Sequence, residues 1–568
     1  MHEALRLHVC LASLSLFLTM GVFYDEIPES LFKWIKKQRM FWVATAPLSA
    51  QGHVNLSPKM GEDCFRIVNS KRVYYQDLSG SGILGRPLYI FLIVMLSRPP
   101  RILRLFGVGT VHEYGTPEYH ALIPEGTRRP GSRAAIFIEV YQVGTSCGFA
   151  VPLYSFVTHR TQLDRIAALK EGADRDNALR PRNNPDGQAD PSPNSLRAHW
   201  LLNNSNSLDG LPALLTAPDA MARVVPQHNF DKNAPRPTLD VVTRGYDKNR
   251  RSVVLKDHQK ALVLSFFLGA ITATAFTQIL GKLNFLAISP TPASSYGFCG
   301  PTAIPGSLFE WIKKQRMFWV ATAPLSAQGH INLSPKGGED CFHIVNSRRV
   351  YYQDLSGSGI ETISHIRENG RITVMFHAFE GPPKILRLFG VGTVYEYGTP
   401  EYHTLIPTET RRPGSRAAIV IDVYQVGTSC GFAVPLYNFV THRTQLLRLA
   451  ALREKSDRDN SLSPCDNPGS QVDPPPNSIR AYWLCKNMKS LDGLPGLLTA
   501  PDAIAHIIPQ NNFVKDTPRP MLDVVRGNDK NRRSAIVKDH VKVLVLGFFL
   551  GAITLTAFTQ ILGKLNNR

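Results

Sequence analysis

The sequence predicts a mainly β fold with helices, built from two tandem copies of one small barrel, each followed by a flexible tail and an apolar helix. The chain of 568 residues repeats itself, since residues 38–53 and 315–330 are identical (QRMFWVATAPLSAQGH). Residues 331–376 read as short strands separated by turns, with one helix. Residues 261–280 and 541–562 are apolar runs of about 20 residues, enough to cross a bilayer. These three observations define the predicted fold class.

The repeat divides the chain. Its period, 277 residues before position 84 and 283 after position 98, is far too long for a solenoid and indicates two whole proteins in tandem. We call residues 24–283 copy 1 and residues 305–563 copy 2. The predicted segments are a hydrophobic leader, signal anchor or artefact at 1–23, barrels at 24–170 and 305–453, tails at 171–260 and 454–540, membrane helices at 261–283 and 541–563, and a linker at 284–304.

The sequence predicts a helix at the start of copy 1, and a hairpin followed by a helix in copy 2. Residues 31–41 place Leu31, Trp34 and Ile35 at helical spacing, which predicts a helix across one end of the barrel; a membrane-surface helix is the alternative. In copy 2, residues 341–345 and 350–352 form a hairpin pattern around Asn346-Ser347. Ser358 and Glu361 have the spacing of a capping box, so a helix is expected from there to Asn369-Gly370.

Two further strands and a helix are predicted before the tails. Residues 384–397 and 417–426 are predicted strands, with bends at the glycines of the first. Residues 438–453 carry apolar side chains at helical spacing and predict a helix. The tails are rich in proline, asparagine, aspartate and serine, which favours flexible linkers with short helices around Trp200 and Trp483.

Two turns of copy 2 favour an anion. The glycines of Pro335-Lys336-Gly337-Gly338 permit close backbone approach, and hydroxyls with free N–H groups at a helix N-terminus attract phosphate. Lys336 would add a point charge. An ordinary helix beside a surface lysine is the alternative.

Three stretches of copy 2 also resemble a known protein family. Residues 331–376, with PPKILRLFGVG (382–392) and RPGSRAAIVIDVYQVGTS (412–429), resemble the pyridoxamine 5'-phosphate oxidase family of FMN-binding split β-barrels. The resemblance covers 308–452 and implies an FMN phosphate held by polar side chains and backbone amides, usually at a dimer interface. It places eight residues at the cofactor: Asn332, Ser334, Lys336, Gly337, Asp354, Ser356, Ser358 and Thr362.

The copies differ at one place. Residues 361–381 (ETISHIRENGRITVMFHAFEG) correspond to LGRPLYIFLIVMLSR (84–98) in copy 1, where Pro87 is incompatible with a helix interior. Residues 90–96 are expected to supply a substitute strand. Met60 replaces Gly337 at a position expected to need positive φ. Copy 1 is therefore predicted to bind flavin weakly or not at all.

Composition limits the partners. The net charge of +19 fits an anionic membrane or phosphorylated ligands. The basic residues are scattered and the sequence shows no zinc-finger spacing or other nucleic-acid-binding motif, which argues against nucleic acid as a partner. The eight cysteines form no CxxC pair, so neither a disulfide framework nor a metal site is predicted. Basic clusters before both apolar runs predict a membrane protein with cytosolic barrels.

Two functions remain open. One is a membrane-anchored FMN-dependent oxidoreductase acting on an unknown small molecule, and the other is a membrane-tethered flavin-binding or scaffold protein without turnover. The Arg-x-His element of true pyridoxamine phosphate oxidases has no clear equivalent, which puts vitamin B6 oxidation in doubt, and no catalytic residue can be named. The family implies a homodimer, for which pairing of the two barrels within one chain is the alternative.

Overall fold

The computed structural model describes residues 21–60, 64–80, 88–94, 96, 100–178, 191–223, 301–338, 340–461 and 474–505. The elements of copy 1 are β1 (Val22–Tyr24), α1 (Glu29–Lys36), β2 (Met40–Ala46), β3 (Asn55–Met60), β4 (Phe65–Asn69), β5 (Arg72–Leu78), β6 (Leu88–Val94), β7 (Ile102–Glu113), α2 (Pro117–Leu122), a 3₁₀ turn (Glu125–Thr127), β8 (Ser132–Ser146), β9 (Leu153–Thr158), α3 (Gln162–Ala178), α4 (Leu196–Asn203) and α5 (Ala217–Arg223). The elements of copy 2 are α6 (Gly306–Lys313), β10 (Met317–Thr322), β11 (Asn332–Gly337), β12 (Phe342–Asn346), β13 (Arg349–Leu355), α7 (Glu361–Asn369), β14 (Arg371–His377), β15 (Ile385–Glu396), α8 (Pro400–Leu405), β16 (Ser415–Ser429), β17 (Leu436–Thr441), α9 (Gln445–Ser461), α10 (Ile479–Lys486) and α11 (Ala500–Ala505).

Each copy is built on one curved antiparallel sheet, which confirms the mainly β part of the prediction. The strand order is β3-β2-β6-β7-β8-β5-β4 in copy 1, where β1 also pairs with β8, and β11-β10-β14-β15-β16-β13-β12 in copy 2. The register of β15 against β16 shifts between Phe389 and Gly390. A Cβ on Gly390 would lie 2.3 Å from Ile421 Cγ2, so only glycine allows the bend there.

The divergent segment of copy 1 still supplies a strand. β6 pairs with β2 and β7 as β14 pairs with β10 and β15, so the expected substitute strand is present. Residues 81–87, where the helix was predicted to be lost, lie outside the described residues. In copy 2 the helix α7 ends as predicted, because Gly370 closes it in the left-handed region at φ 74°.

Two local predictions were wrong. Ile360, not Ser358, is the N-cap of α7 and makes no side-chain capping bond, so no capping box forms. Residues 438–441 belong to strand β17, and the helix α9 begins only at Gln445. The end of the predicted leader forms β1, which pairs with residues 143–145 of β8. Residues 1–20 lie outside the described residues.

The membrane part of the predicted fold class is also corrected. Among the helices that the structure describes, none is long and apolar enough to cross a bilayer. This finding contradicts the predicted fold class, with a transmembrane helix behind each barrel, and the membrane location derived from it. The two apolar runs on which they rested, 261–280 and 541–562, lie outside the described residues.

The described part of each tail packs into its own barrel. In copy 2, Trp483 of α10 is fully buried and donates its Nε1–H to Ser356 Oγ at 2.6 Å. The Glu396 carboxylate accepts hydrogen bonds from the backbone amides of 498–500 at 2.8–3.0 Å. Trp200 and Glu113 repeat both contacts in copy 1. These contacts make residues 191–223 and 474–505 part of the two cores.

The two copies pack against each other through a shared apolar core. Its centre is Trp42 of copy 1 stacked on Trp319 of copy 2, with ring centroids 3.9 Å apart. Strands β9 and β17, one from each copy, form a two-stranded antiparallel sheet. The Arg371 guanidinium donates to the carbonyls of Pro47 and Ser49 of copy 1 at 2.9 and 2.7 Å. The duplicated chain thus brings its two sheets into direct contact.

His377 lies at this contact. Its ring stacks against both tryptophans at 5.9 and 5.8 Å, and its Nε2 accepts the Nε1–H of Trp42 at 3.2 Å. Burial, with a smaller effect of Arg387, lowers the pKa of the imidazole to about 3. His377 is therefore a neutral ring in the folded protein.

Acidification should accordingly destabilise the chain through His377. Because the pKa of His377 is lower in the folded than in the unfolded protein, its neutral ring contributes fully to the free energy of unfolding above the unfolded pKa. This contribution is lost as the pH falls towards the folded pKa. Between pH 6.5 and pH 5, wild type should lose about 1.6 kcal/mol more than His377→Val, since the unfolded imidazole is already half protonated at pH 6.5. Valine is the control because Val94 pairs with Ile102 as His377 pairs with Ile385. Urea unfolding at both pH values measures the difference, and parallel losses in the two proteins would contradict it.

Candidate functional site

A cavity of about 260 Å³ lies at the junction of the copies. Copy 2 contributes β11, the end of β13, the turn 356–359 and the start of α7, while copy 1 contributes β7 and residues 144–150. Seven of the eight predicted residues line it: Asn332, Ser334, Lys336, Gly337, Ser356, Ser358 and Thr362. The eighth, Asp354, lies behind the wall. The structure therefore brings the sequence-predicted set together around one space.

Asp354 organises the cationic part of the cavity. Its carboxylate is fully buried and accepts from Lys336 Nζ at 2.6 Å and from Arg416 Nε at 2.9 Å. Burial alone would raise the pKa of this carboxyl, but the charges and hydrogen bonds of Lys336 and Arg416 outweigh burial and hold it below the usual value. One carboxylate thus faces two cations, and the cavity lining also carries Arg104 and Lys486 together with the carboxylate of Glu361.

Arg416 was not singled out from the sequence, although it lies in the motif 412–429. It is 3% exposed, and its Nη2 donates to the carbonyl of Gly359 at 2.9 Å. Its Nη1 is buried and has no hydrogen-bond acceptor among the described residues. An N–H left unpaired inside a protein is costly unless a ligand accepts its hydrogen bond. Arg416 therefore offers a donor suited to an anionic oxygen.

A chain of neutral polar groups continues the wall. Asn332 Nδ2 donates to Thr362 Oγ1 at 2.9 Å and to Thr322 Oγ1 at 3.1 Å. Ser334 Oγ donates to Asn332 Oδ1 at 2.8 Å. These bonds join β10, β11 and α7, and they fix the positions of the side chains that a ligand would meet.

The two serines of the turn have different surroundings. Ser356 is buried, donates to the Gly414 carbonyl at 2.7 Å and accepts from Trp483, so its hydroxyl is engaged in packing the tail. Ser358 is partly exposed at the cavity wall, and its Oγ would lie 3.9 Å from a Cβ added to Gly21. Of the two, Ser358 is the hydroxyl more accessible to a ligand.

Copy 1 supplies the opposite wall, which sequence reasoning did not assign. Arg104 of β7 reaches across the junction, donating from Nε to the carbonyl of Leu333 at 3.3 Å and from Nη1 to Ser146 Oγ at 3.0 Å. Phe106, Cys147 and Phe149 lie beside it. No local signal places these residues at the site, because their position depends on how the two copies pack.

Gly337 is needed for a reason other than the one predicted. It lies within β11, paired with Met317, and is not among the residues of positive φ. A Cβ at this position would lie 2.2 Å from the carbonyl oxygen of Ala150 and 2.8 Å from Pro152 Cδ, both in copy 1. Positive φ occurs at the next residue, Gly338, at 133°. Gly337 therefore permits close packing of the copies rather than a strained turn.

The pyridoxamine 5'-phosphate oxidase family protein ustO of Aspergillus flavus is 37% identical to this chain over 207 residues. The match covers 35% of this chain and 77% of that relative. The chain therefore belongs to the pyridoxamine 5'-phosphate oxidase family, as the sequence motifs predicted. No family model matches the chain.

Solved structures show weaker likeness. HupZ of Group A Streptococcus is 22% identical, covering 22% of this chain and 91% of its own, with a TM-score of 0.19. A FAD-binding protein of Mesorhizobium loti is 15% identical, with coverages of 22% and 95%, and the heme storage protein HutZ of Vibrio cholerae is 16% identical, with coverages of 22% and 96%. The last two have TM-scores of 0.17. All three TM-scores are below 0.5.

Proposed function

We propose that the chain is an FMN-dependent oxidoreductase with one flavin site, in the cavity at the junction of the two copies. The observation that carries the proposal is the donor set of Lys336, Arg416 and Ser358 beside a cavity of about 260 Å³. Family membership supports flavin as the ligand. The intramolecular pairing of the sheets would take the place of the homodimer that the family resemblance implies.

The cationic end of the cavity suits the phosphate of the cofactor. Lys336 supplies an ammonium and Arg416 supplies the unpaired Nη1–H, which together would complement a phosphate dianion. Thr362, at the start of α7, adds a hydroxyl and the positive end of the helix. Asp354 would keep both cations fixed in the absence of ligand. Its own role is therefore positioning rather than contact.

The remaining predicted residues and copy 1 would hold the rest of the cofactor. Asn332, Ser334 and Gly337 form one side, and Arg104 with Phe106 forms the other. Bound flavin would supply the electron transfer, while the protein orients the ring and excludes water from it. Arg104 would place a positive charge near that ring. The substrate and the electron acceptor are not defined by these contacts.

An absorbance spectrum of the purified full-length chain tests the proposal. We expect bands between 350 and 500 nm that bleach when NAD(P)H or a reduced substrate is added anaerobically. Bound flavin that neither NAD(P)H nor a reduced substrate bleaches would favour the second candidate, a flavin-binding protein without turnover. A colourless protein that also fails to take up added FMN would contradict both.

A further inference from the structure

A second, smaller cavity lies at the junction, on the copy 1 side. Its volume is about 80 Å³. It is formed by both copies, like the larger cavity but with their roles exchanged. Its cationic and hydroxyl-bearing lining comprises Ser57, Lys59, Ser79 and Arg133 of copy 1 with Arg387 and Ser429 of copy 2.

Arg387 is the counterpart of Arg104 and reaches into copy 1. It donates from Nε to the carbonyl of Leu56 at 2.7 Å, from Nη1 to Ser429 Oγ at 3.1 Å and from Nη2 to Ser57 Oγ at 3.3 Å. All three acceptors are uncharged, and within the described parts of the chain no carboxylate pairs with it. Burial lowers the pKa of the guanidinium to about 10, so it remains charged at neutral pH. A cation in this environment favours a nearby anion.

The same cavity keeps the ion cluster of its larger counterpart. Asp77 is fully buried and accepts from Lys59 Nζ at 2.5 Å and from Arg133 Nε at 2.8 Å. Lys59, Arg133 and Arg387 thus give three positive charges against the single negative charge of Asp77. The wall has an excess of two positive charges, which matches the charge of a divalent anion.

Size restricts what that anion can be. The cavity volume of about 80 Å³ is less than a third of the 260 Å³ of the larger cavity. Met60, 4% exposed, stands in the wall where copy 2 has Gly337. We propose that this cavity is a binding site for a small tetrahedral oxyanion, inorganic phosphate or sulfate, and that it does not accept a nucleotide. The site differs from the flavin site and does not depend on it.

Equilibrium dialysis of the full-length chain with radiolabelled inorganic phosphate tests the site. Excess FMN is present so that the larger cavity is occupied. We expect one phosphate per chain, with affinity reduced at least about tenfold in Arg387→Met. Affinity should change less than about twofold in Arg72→Met, which removes an exposed arginine that lines neither cavity. Sulfate should compete with phosphate in wild type.

The outcomes separate this proposal from the flavin proposal. Phosphate binding that is lost only in Arg72→Met, or that is equal in all three proteins, would place the anion elsewhere and overturn the inference. Absence of binding by wild type at millimolar phosphate would do the same. If Arg387→Met does not fold, Lys59→Ala is the second variant and must also weaken phosphate binding. Dependence on Arg387 without any FMN uptake would support the oxyanion site while rejecting the flavin site.

Discussion

Replacing Lys336 with alanine is expected to raise the dissociation constant for FMN by about 10- to 100-fold, the effect of losing a charge-assisted hydrogen bond to phosphate. Lys336 lines the larger cavity, with its Nζ 2.6 Å from the buried Asp354 carboxylate. Flavin fluorescence quenching on titration into the apo-protein measures the change. The reason for the loss is the missing ammonium at the phosphate end of the cavity.

Lys59→Ala is the matched control. Lys59 forms the equivalent ion pair with Asp77 at 2.5 Å, and both lysines are similarly exposed at 21% and 17% of the side chain. Both variants therefore lose a corresponding ion pair, so a general destabilisation would affect them similarly. FMN affinity should stay within about twofold in Lys59→Ala. Equal weakening in both variants would mean that Lys336 acts through stability and not through the ligand.

The largest effect on stability is expected at Trp483. Trp483→Ala should lower the free energy of unfolding by about 3–5 kcal/mol, because it empties a fully buried site in the core of copy 2. Trp483→Phe keeps most of the ring but loses the hydrogen bond to Ser356, at a cost of about 1–3 kcal/mol. Urea unfolding followed by far-UV circular dichroism measures both.

Cys485→Ala serves as the control on the same helix, since Cys485 is exposed; its cost should be within about 0.5 kcal/mol. A loss below about 1 kcal/mol in Trp483→Ala would show that residues 474–505 contribute little to the core. Because Ser356 lies both at the cavity and under Trp483, the alanine variant should also bind flavin more weakly than the phenylalanine variant. That order links the tail to the site.

The sequence pattern predicted many of the strands and turns because they depend on interactions between residues close together in the chain. Alternation and turn residues located β12, β13 and β14, and Gly370 marked the end of α7. The sequence pattern gave wrong predictions where pairing with a distant strand determines the secondary structure. Residues 438–441 have apolar spacing compatible with a helix, yet they form β17 because β9 of the other copy offers a pairing edge. Ser358 has capping spacing, but the helix begins beyond it.

The site shows the same division. The lysine of β11 and the hydroxyl-rich turn at 356–359 both lie within residues 331–376, so the family motifs of that stretch could locate them. Arg104 and the Ala150 carbonyl reach the cavity only through packing of the two copies, and no spacing in the sequence encodes that contact. The role of Gly337 was misjudged for this reason. Its constraint comes from a residue nearly 190 positions away and not from its own backbone.

The number of flavins bound per chain tests the account most directly. Equilibrium titration of the full-length apo-protein with FMN, followed at 450 nm with protein concentration from amino-acid analysis, gives that number. One FMN per 568-residue chain is predicted, since the larger cavity suits the cofactor and the smaller one does not. Two FMN per chain would show that the copies are equivalent sites, and none would reject a flavin site at the junction.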